Sequence, residues 1–516
     1  MAPRSNPDTL GAALVDAARR RGDAICLIEG DHSHSFNDLL TDSRRLSAAL
    51  IASGIGSGDR VGLLSVNQIE WIQLFFAITQ IGAVVVGMSP RYRDSELEYM
   101  VNDSRVKAVF TLAKHDGHDF VELFERLTPR LPTLGLVVPI GSDSWHSFID
   151  QPAGKASLEE RMASVCSGDL AMVIYTSGTT GRPKGAGLTH ASMLAAARAQ
   201  TEHMRLHEHD LFQLFLPLNH VAGITCGMLA MMVAGGTTDL VAEFKAEAVL
   251  NRIRRHRSTW LIGVPTMMTL LLMKSRELDV DLDSIRMVTV GGSNVDEALW
   301  SQLQDRIPTA TFMNVYGLSE ASGLIVMTPQ GGSSDDLTSI GRPIGDAEVK
   351  VVGTDGQSLP PGEVGELCFR GVGVIPGYVG AAAASDAITA DGWLRTGDLG
   401  QVDARGLITL KGRAKDMYIQ GGFNVYPAEI EGFIARHPDV LMVAGIGVPD
   451  PVMGEVGCYF IVTRPGSRLT SDDLRAWCAE GLADYKVPRQ IVFRDVLPLT
   501  PAGKIHKAAL RAEASQ

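Results

Sequence analysis

Apolar residues recur at helical spacing over residues 37–53, where Leu39, Leu40, Leu46, Ala49 and Leu50 share one face before the chain stops at Gly54. The run 61–65 (Val-Gly-Leu-Leu-Ser) reads as a buried strand. A helix over 70–80, a strand over 83–87, a helix over 95–102 and a strand over 107–111 follow in turn. Such alternation predicts parallel strands covered by helices, an α/β fold class. Farther along, the apolar run 170–174 reads as another buried strand. Residues 331–336 (Gly-Gly-Ser-Ser-Asp-Asp) read as a surface loop by composition.

The pattern changes near Gly412. Beyond it Pro427 opens a helix to residue 436, with Ile430, Phe433 and Ile434 on one face. Strands over 441–448 and 458–462, a helix over 471–481 and a strand over 490–493 complete about 100 residues, the size of a compact α+β domain. The expected architecture is a large multi-layer α/β body with a small C-terminal α+β domain.

Two apolar stretches invite comparison with bilayer spans. Residues 71–88 are interrupted by Gln73 and Gln80, and residues 211–234 by Gln213, Pro217, Asn219 and His220, so both read as buried helix-plus-strand segments. No apolar run at the N-terminus resembles a signal peptide. The formal net charge of −12 argues against nucleic acid or an anionic membrane as partner, so any anionic substrate must be met by locally placed Lys, Arg and backbone N–H groups. The six cysteines include no Cys-x-x-Cys pair, which disfavours a zinc site or disulfide scaffold and suits a reducing cytoplasm. A homodimer is compatible with the sequence.

The sharpest chemical signal is the segment Tyr175-Thr-Ser-Gly-Thr-Thr-Gly-Arg-Pro-Lys-Gly185. A strand that empties into Gly, Ser and Thr offers backbone N–H groups and hydroxyls to phosphate oxygens, and Lys184 adds a positive charge. The common nucleotide P-loop requires Gly-Lys followed by Ser or Thr. Here Gly181 is followed by Arg182 and Lys184 by Gly185, which points away from kinases and ordinary NTPases.

With this loop the chain resembles the adenylate-forming superfamily of acyl-CoA synthetases, peptide-synthetase adenylation domains and firefly-type luciferases. The likeness continues in order through Leu216-Pro-Leu-Asn-His220, Tyr316-Gly-Leu-Ser-Glu320, Thr396-Gly-Asp398, Gly412-Arg-Ala-Lys-Asp416, Gly421-Gly422 and Pro501-Ala-Gly-Lys504. Ser319 stands where the family usually has Thr. Ser293 and Asn294 depart from its usual Gly-Gly-Ala-Pro turn, which leaves their backbone roles firmer than their side-chain roles.

The resemblance implies an ATP-dependent acyl-CoA synthetase that joins a carboxylic acid to coenzyme A through an acyl-adenylate. It implies an adenylation domain over residues 1–414 and a mobile lid over 415–516. It assigns ATP to Thr176, Ser177, Gly178, Thr179, Thr180, Gly181, Lys184, Gly292, Ser293, Asn294, Asn314, Tyr316, Gly317, Ser319, Asp398, Arg413 and Lys504. Within that set Tyr316 lies against adenine and Asp398 accepts the ribose hydroxyls; Thr176, together with Glu320, holds Mg²⁺, a cation that prefers oxygen. His220, Val221, Gly223, Gly291, Gly317 and Leu318 line the acyl pocket, and His220 belongs with Lys504, Glu320 and Thr176 among the catalytic residues. Lys415 is the hinge, and Gly421 and Gly422 pass the pantetheine arm of CoA.

Four other readings compete, three within the superfamily and one from another class; of the former, a luciferase-like oxygenase shares the motifs but is rare in the superfamily. An acyl-AMP ligase that loads a carrier protein typically carries an inserted segment, and none stands out around residues 398–413. An amino-acid adenylation domain would place an Asp in the pocket, for which residues 219–223 offer no clear candidate. A catalytically silent nucleotide-binding protein would have no need to keep Thr176, Lys184, Glu320, Asp398, Arg413 and Lys504 together. The pocket candidates 220–224, 291–294 and 314–319 are small or apolar and contain no Arg, which disfavours a second substrate carboxylate. A hydrophobic acid (fatty, aryl or polycyclic) is the expectation.

Overall fold

The computed structural model describes residues 8–151, 155–176, 183–292, 295, 297–332, 334–337, 339–382, 385–500 and 504–514. Most expected elements form within a residue or two of their predicted ends, while the strand expected over 458–462 begins four residues earlier, as Gly454–Thr463. The helix expected over 37–53 is Phe36–Ala52, set one residue early by a capping box in which Ser35 and Asp38 satisfy each other's backbone N–H groups; an earlier helix, Leu10–Arg21, is not among the expected elements. Ile69–Thr79 and Asp94–Ser104 are helices, and Arg60–Leu64, Val84–Met88 and Ala108–Thr111 are strands. Among the described residues no helix is long and apolar enough to cross a membrane. The run 211–234 instead divides into the strand Leu211–Leu214, a short helix Val221–Gly223, a wider π-helical stretch Ile224–Leu229 and the helix Ala230–Ala234. The stretch read as a loop over 331–336 contains a helical turn, Ser334–Leu337. Its last residue is buried, and the Leu337 carbonyl accepts a hydrogen bond from the Asn314 amide at 3.3 Å.

Two large sheets build the body. One has seven strands, with Arg60–Leu64, Val84–Met88, Ala108–Thr111 and Leu136–Pro139 in parallel beside Leu170–Thr176. The other has nine, with Leu211–Leu214, Thr237–Leu240, Trp260–Gly263, Met287–Gly291 and Thr311–Leu318 parallel at its centre. A single apolar cluster joins both, including Phe75, Phe76 and Trp71 from the all-but-buried helix Ile69–Thr79. A four-stranded antiparallel sheet (Glu348–Val352, Gly365–Arg370, Leu394–Val402, Ile408–Arg413) closes the body. The last hundred residues form their own five-stranded sheet around Val440–Asp450 and Gly454–Thr463, packed by the helices Pro427–Ile434 and Ser471–Gly481.

The departures from parallel order matter most. Strand Leu170–Thr176 runs antiparallel to Lys184–Thr189, so the Gly/Ser/Thr loop is a strand-to-strand connection that sets Lys184 directly opposite Thr176. A P-loop runs from strand into helix, which is why its Gly-Lys-Ser/Thr pattern has no place here. The edge strand Gly377–Val379 then pairs with Lys184–Thr189, setting Tyr378 opposite Ala186.

Candidate active site

Each face of the site comes from a strand end. Tyr316 lies on Thr311–Leu318, with Gly291 beside Val315 on the neighbouring strand. A side chain at Gly291 is impossible, since a Cβ there would stand 2.1 Å from the Val315 carbonyl oxygen. Gly317 is equally tight, its Cβ position lying 2.3 Å from the Gly323 carbonyl. The strands thus approach closely at these two glycines, and the Tyr316 ring packs toward the four-stranded sheet, 5.8 Å from Phe369.

Tyr316, Asp398 and Arg413 form one connected group. The Tyr316 hydroxyl donates to Asp398 Oδ2 at 2.7 Å, and Arg413 Nε lies 2.9 Å from Asp398 Oδ1. Sheet pairing of Asp398 with Arg413 fixes that contact, and the Thr396 hydroxyl accepts from the Asp398 N–H at 3.0 Å. Burial, then Asp398, pushes the Tyr316 phenol well above its ordinary range, so it stays protonated as a donor.

Glu320 follows on a turn of 3₁₀ helix, and its Oε1 accepts a 2.7 Å hydrogen bond from Tyr378. The ring of Tyr378 lies under Lys184 Nζ at 5.4 Å from its centroid. Lys184 Nζ also reaches Ser385 Oγ at 3.5 Å. Among the described residues the Thr176 hydroxyl makes a long contact to the Lys184 carbonyl at 3.5 Å. Neither Tyr378 nor Ser385 was legible as a site residue. Their place follows from an edge-strand pairing that no local motif announces.

His220 caps the helix Val221–Gly223, its Nδ1 accepting from the Ala222 N–H at 3.2 Å. With Nδ1 an acceptor, the proton of the neutral ring sits on Nε2. Burial first, and the Lys504 charge second, push the His220 pKa down to about 4. Gly223 is required because a Cβ there would stand 2.1 Å from the Pro217 carbonyl oxygen, so the chain doubles back under the histidine.

Lys504 arrives from the C-terminal region. The Thr500 N–H donates to the Lys504 carbonyl at 2.7 Å and the Lys504 N–H to Thr500 Oγ1 at 3.2 Å, closing the loop that carries it. Its Cε stands 3.2 Å from where a Cβ at Gly292 would be, and Gly292 adopts φ +82°, a backbone state that favours glycine. Burial, then the charge of Arg413, lower the Lys504 pKa, while Asp398 and Glu320 pull the other way. The cation therefore shares one electrostatic environment with Asp398, Arg413, Glu320 and His220.

The remaining expected residues divide. Ser177, Gly178, Thr179, Thr180 and Gly181 of the loop, with Ser293 and Asn294, lie outside the described residues. Asn314 is buried and its amide also donates to the Ser339 carbonyl at 2.8 Å, so the side chain secures a neighbouring segment. Ser319 and Val221 are buried, and Leu318 is half-buried. Lys415 is exposed on the connection after Arg413, its pKa lowered by partial desolvation and then by the Arg413 charge. Gly421 and Gly422 form a turn between Tyr418–Gln420 and Phe423–Val425 with φ +57° and +86°.

Comparison with known proteins agrees with this layout. Residues 14–379 match the AMP-binding enzyme family, and residues 429–504 match the C-terminal domain of AMP-binding enzymes. A 3-[(3aS,4S,7aS)-7a-methyl-1,5-dioxo-octahydro-1H-inden-4-yl]propanoyl:CoA ligase of Mycobacterium tuberculosis is 36% identical over 510 residues, covering 98% of both chains. A feruloyl-CoA synthase of Amycolatopsis is 33% identical and covers 97% of this chain and 98% of its own. Among solved structures, an anthranilate CoA ligase in complex with anthranoyl-AMP superimposes with a TM-score of 0.89 at 27% identity, covering 98% of this chain and 97% of the other.

Proposed function

The chain belongs to the AMP-binding enzyme family and is an AMP-forming acid–thiol ligase, and from that premise we propose how its residues divide the two half-reactions and which acid it takes. In the first, a substrate carboxylate oxygen attacks the α-phosphorus of ATP and diphosphate leaves, giving an acyl-adenylate. In the second, the thiol of coenzyme A attacks the acyl carbon and AMP leaves.

The first half-reaction brings two anions together, so its barrier is partly electrostatic. Lys504 is the cation for this step, set beside the developing charge on the carboxylate and α-phosphate. The observation that carries this role is the close approach of Lys504 Cε to Gly292, with Asp398, Arg413 and Glu320 facing the same ammonium. Asp398 accepts the ribose hydroxyls and Tyr316 backs the adenine. His220, neutral and with Nε2–H free of the Ala222 contact, is a donor to the substrate carboxylate. The loop 176–184 holds the outer phosphates.

Glu320 and Thr176 suit Mg²⁺. One carboxylate with one oxygen already taken by Tyr378, plus one hydroxyl, fits an ion that draws its other ligands from phosphate and water. Bound there, Mg²⁺ neutralises phosphate charge. For the second half-reaction the lid, residues 415–516, turns about Lys415 and brings Gly421 and Gly422 to the thiol path. All six cysteines are free and all but Cys166 are buried, which supports a reducing cytoplasm.

The acid is an aryl or polycyclic monocarboxylate. Two lines support this: the pocket candidates Val221, Gly223, Ile224, Gly291 and Leu318 offer apolar surface or none and no cation, and the relatives above act on a bicyclic propanoate and on ferulate by name. Acid-dependent diphosphate release, followed by consumption of CoA thiol, tests the reading across ferulate, anthranilate, bicyclic propanoates, straight-chain acids and malonate. Cyclic acids should be preferred and malonate rejected. Diphosphate release without CoA consumption would favour a carrier-protein acceptor.

A further inference from the structure

Away from this site, three metal-competent side chains converge from two separate segments. Lys114–His115 and His118–Asp119 form a small hairpin joined by Asp116 and Gly117, at φ +46° and +77°. Positive φ at both central residues is the tight turn whose twist matches a hairpin, and Asp-Gly is its preferred sequence. The turn fixes Asp116 relative to His115. Glu243 comes from the other sheet, just beyond the strand Thr237–Leu240. That stretch is held by Asn67, whose N–H donates to the Ala242 carbonyl at 3.4 Å and whose amide donates to the Val241 carbonyl at 3.1 Å.

His115 Nε2 lies 3.5 Å from Asp116 Oδ2 and 3.3 Å from Glu243 Oε1. It is buried yet makes no hydrogen bond to either oxygen. All three donor atoms lie within 4.8 Å of one another. Ligand atoms held about 2.1 Å from a tetrahedral zinc stand about 3.4 Å apart, so both nitrogen–oxygen separations match the edges of such a polyhedron. One imidazole nitrogen and two carboxylate oxygens are the donor mix of a borderline divalent cation. Asp116 is largely exposed, which leaves a side open for water as fourth ligand.

We propose that His115, Asp116 and Glu243 bind a divalent transition-metal cation of the zinc class, which ties the hairpin beside the seven-stranded sheet to the nine-stranded sheet. The imidazole selects against Mg²⁺ and Ca²⁺, which prefer oxygen. The site is structural and separate from the adenylation chemistry.

The full chain, stripped with a chelator and kept in excess Mg²⁺, is titrated with zinc chloride and with cobalt(II). The wild type should bind a single tight equivalent, show the visible bands of low-coordinate cobalt, and melt on the order of a few degrees higher. H115A and E243Q should each lose that equivalent and the shift while retaining diphosphate release. Tight binding that is unchanged in both variants, or no tight equivalent in the wild type, overturns the proposal.

Discussion

The hydroxyl of Tyr378 donates to Glu320 Oε1 at 2.7 Å. Burial, then the Glu320 charge, raise the phenol above its usual range, so the proton stays on tyrosine and orients the carboxylate. Tyr378 therefore acts as a positioning residue. Y378F should lower kcat/KM for ATP by roughly tenfold, about 1.5 kcal/mol for a hydrogen bond to a charged group. The telling readout is a raised Mg²⁺ requirement with an unchanged KM for the acid. An effect on the acid alone would contradict it.

Asp398 is 5% exposed and receives both the Tyr316 hydroxyl and Arg413. D398A should cost about 1–3 kcal/mol of folding stability, because it leaves the buried phenol unpaired. It should also raise the ATP KM more than tenfold, on the order of 2 kcal/mol for lost charged hydrogen bonds. D398N should recover part of the melting temperature without recovering ATP binding. Recovery of both would remove the ribose role.

Two histidines set an acid limit. His190 and His220 have pKa values pushed down to about 4 by burial, against about 6.5 in the unfolded chain. Between those values the unfolded chain binds more protons, so stability is full above pH 6.5 and falls as pH drops toward 4. Fully buried His190, which accepts the Leu10 N–H at 3.2 Å, contributes on the order of 3 kcal/mol to that loss. H190N should flatten the melting profile across this window. Activity should show no ionisation near 6.5 from His220, since its ring is neutral at that pH.

Gly422 adopts φ +86° with no atom within 4 Å of a Cβ position. G422V strains that turn by about 1–2 kcal/mol and puts bulk where the pantetheine arm is expected. Thioester formation from supplied acyl-AMP should fall at least tenfold while diphosphate release holds. Equal loss in both steps would place Gly422 outside the thiol path.

Local pattern made the elements legible: helix Ser471–Gly481 and strand Gln490–Phe493 begin and end at their predicted residues, because caps and apolar period are written in adjacent positions. Motif order made Tyr316, Asp398, Arg413 and Lys504 legible, and the fold brings them together. Tyr378 was not, since its place depends on an edge strand pairing with Lys184–Thr189 across almost two hundred residues. His115 and Glu243 escaped for the same reason, being joined only by the approach of two sheets. Asn314 carried a motif position while its amide serves the 337–339 segment, a commitment no spacing reveals.

Lys504 reaches the body from the C-terminal region, and the proposed division of labour confines its effect to one half-reaction. Single-turnover kinetics of K504A separate them: acyl-AMP formation from acid and ATP, and thioester formation from supplied acyl-AMP and CoA. The first should fall by about 10²–10³, roughly 3–4 kcal/mol for one lost transition-state partner, with the second unchanged. Equal loss in both steps, or none in the first, would contradict the account.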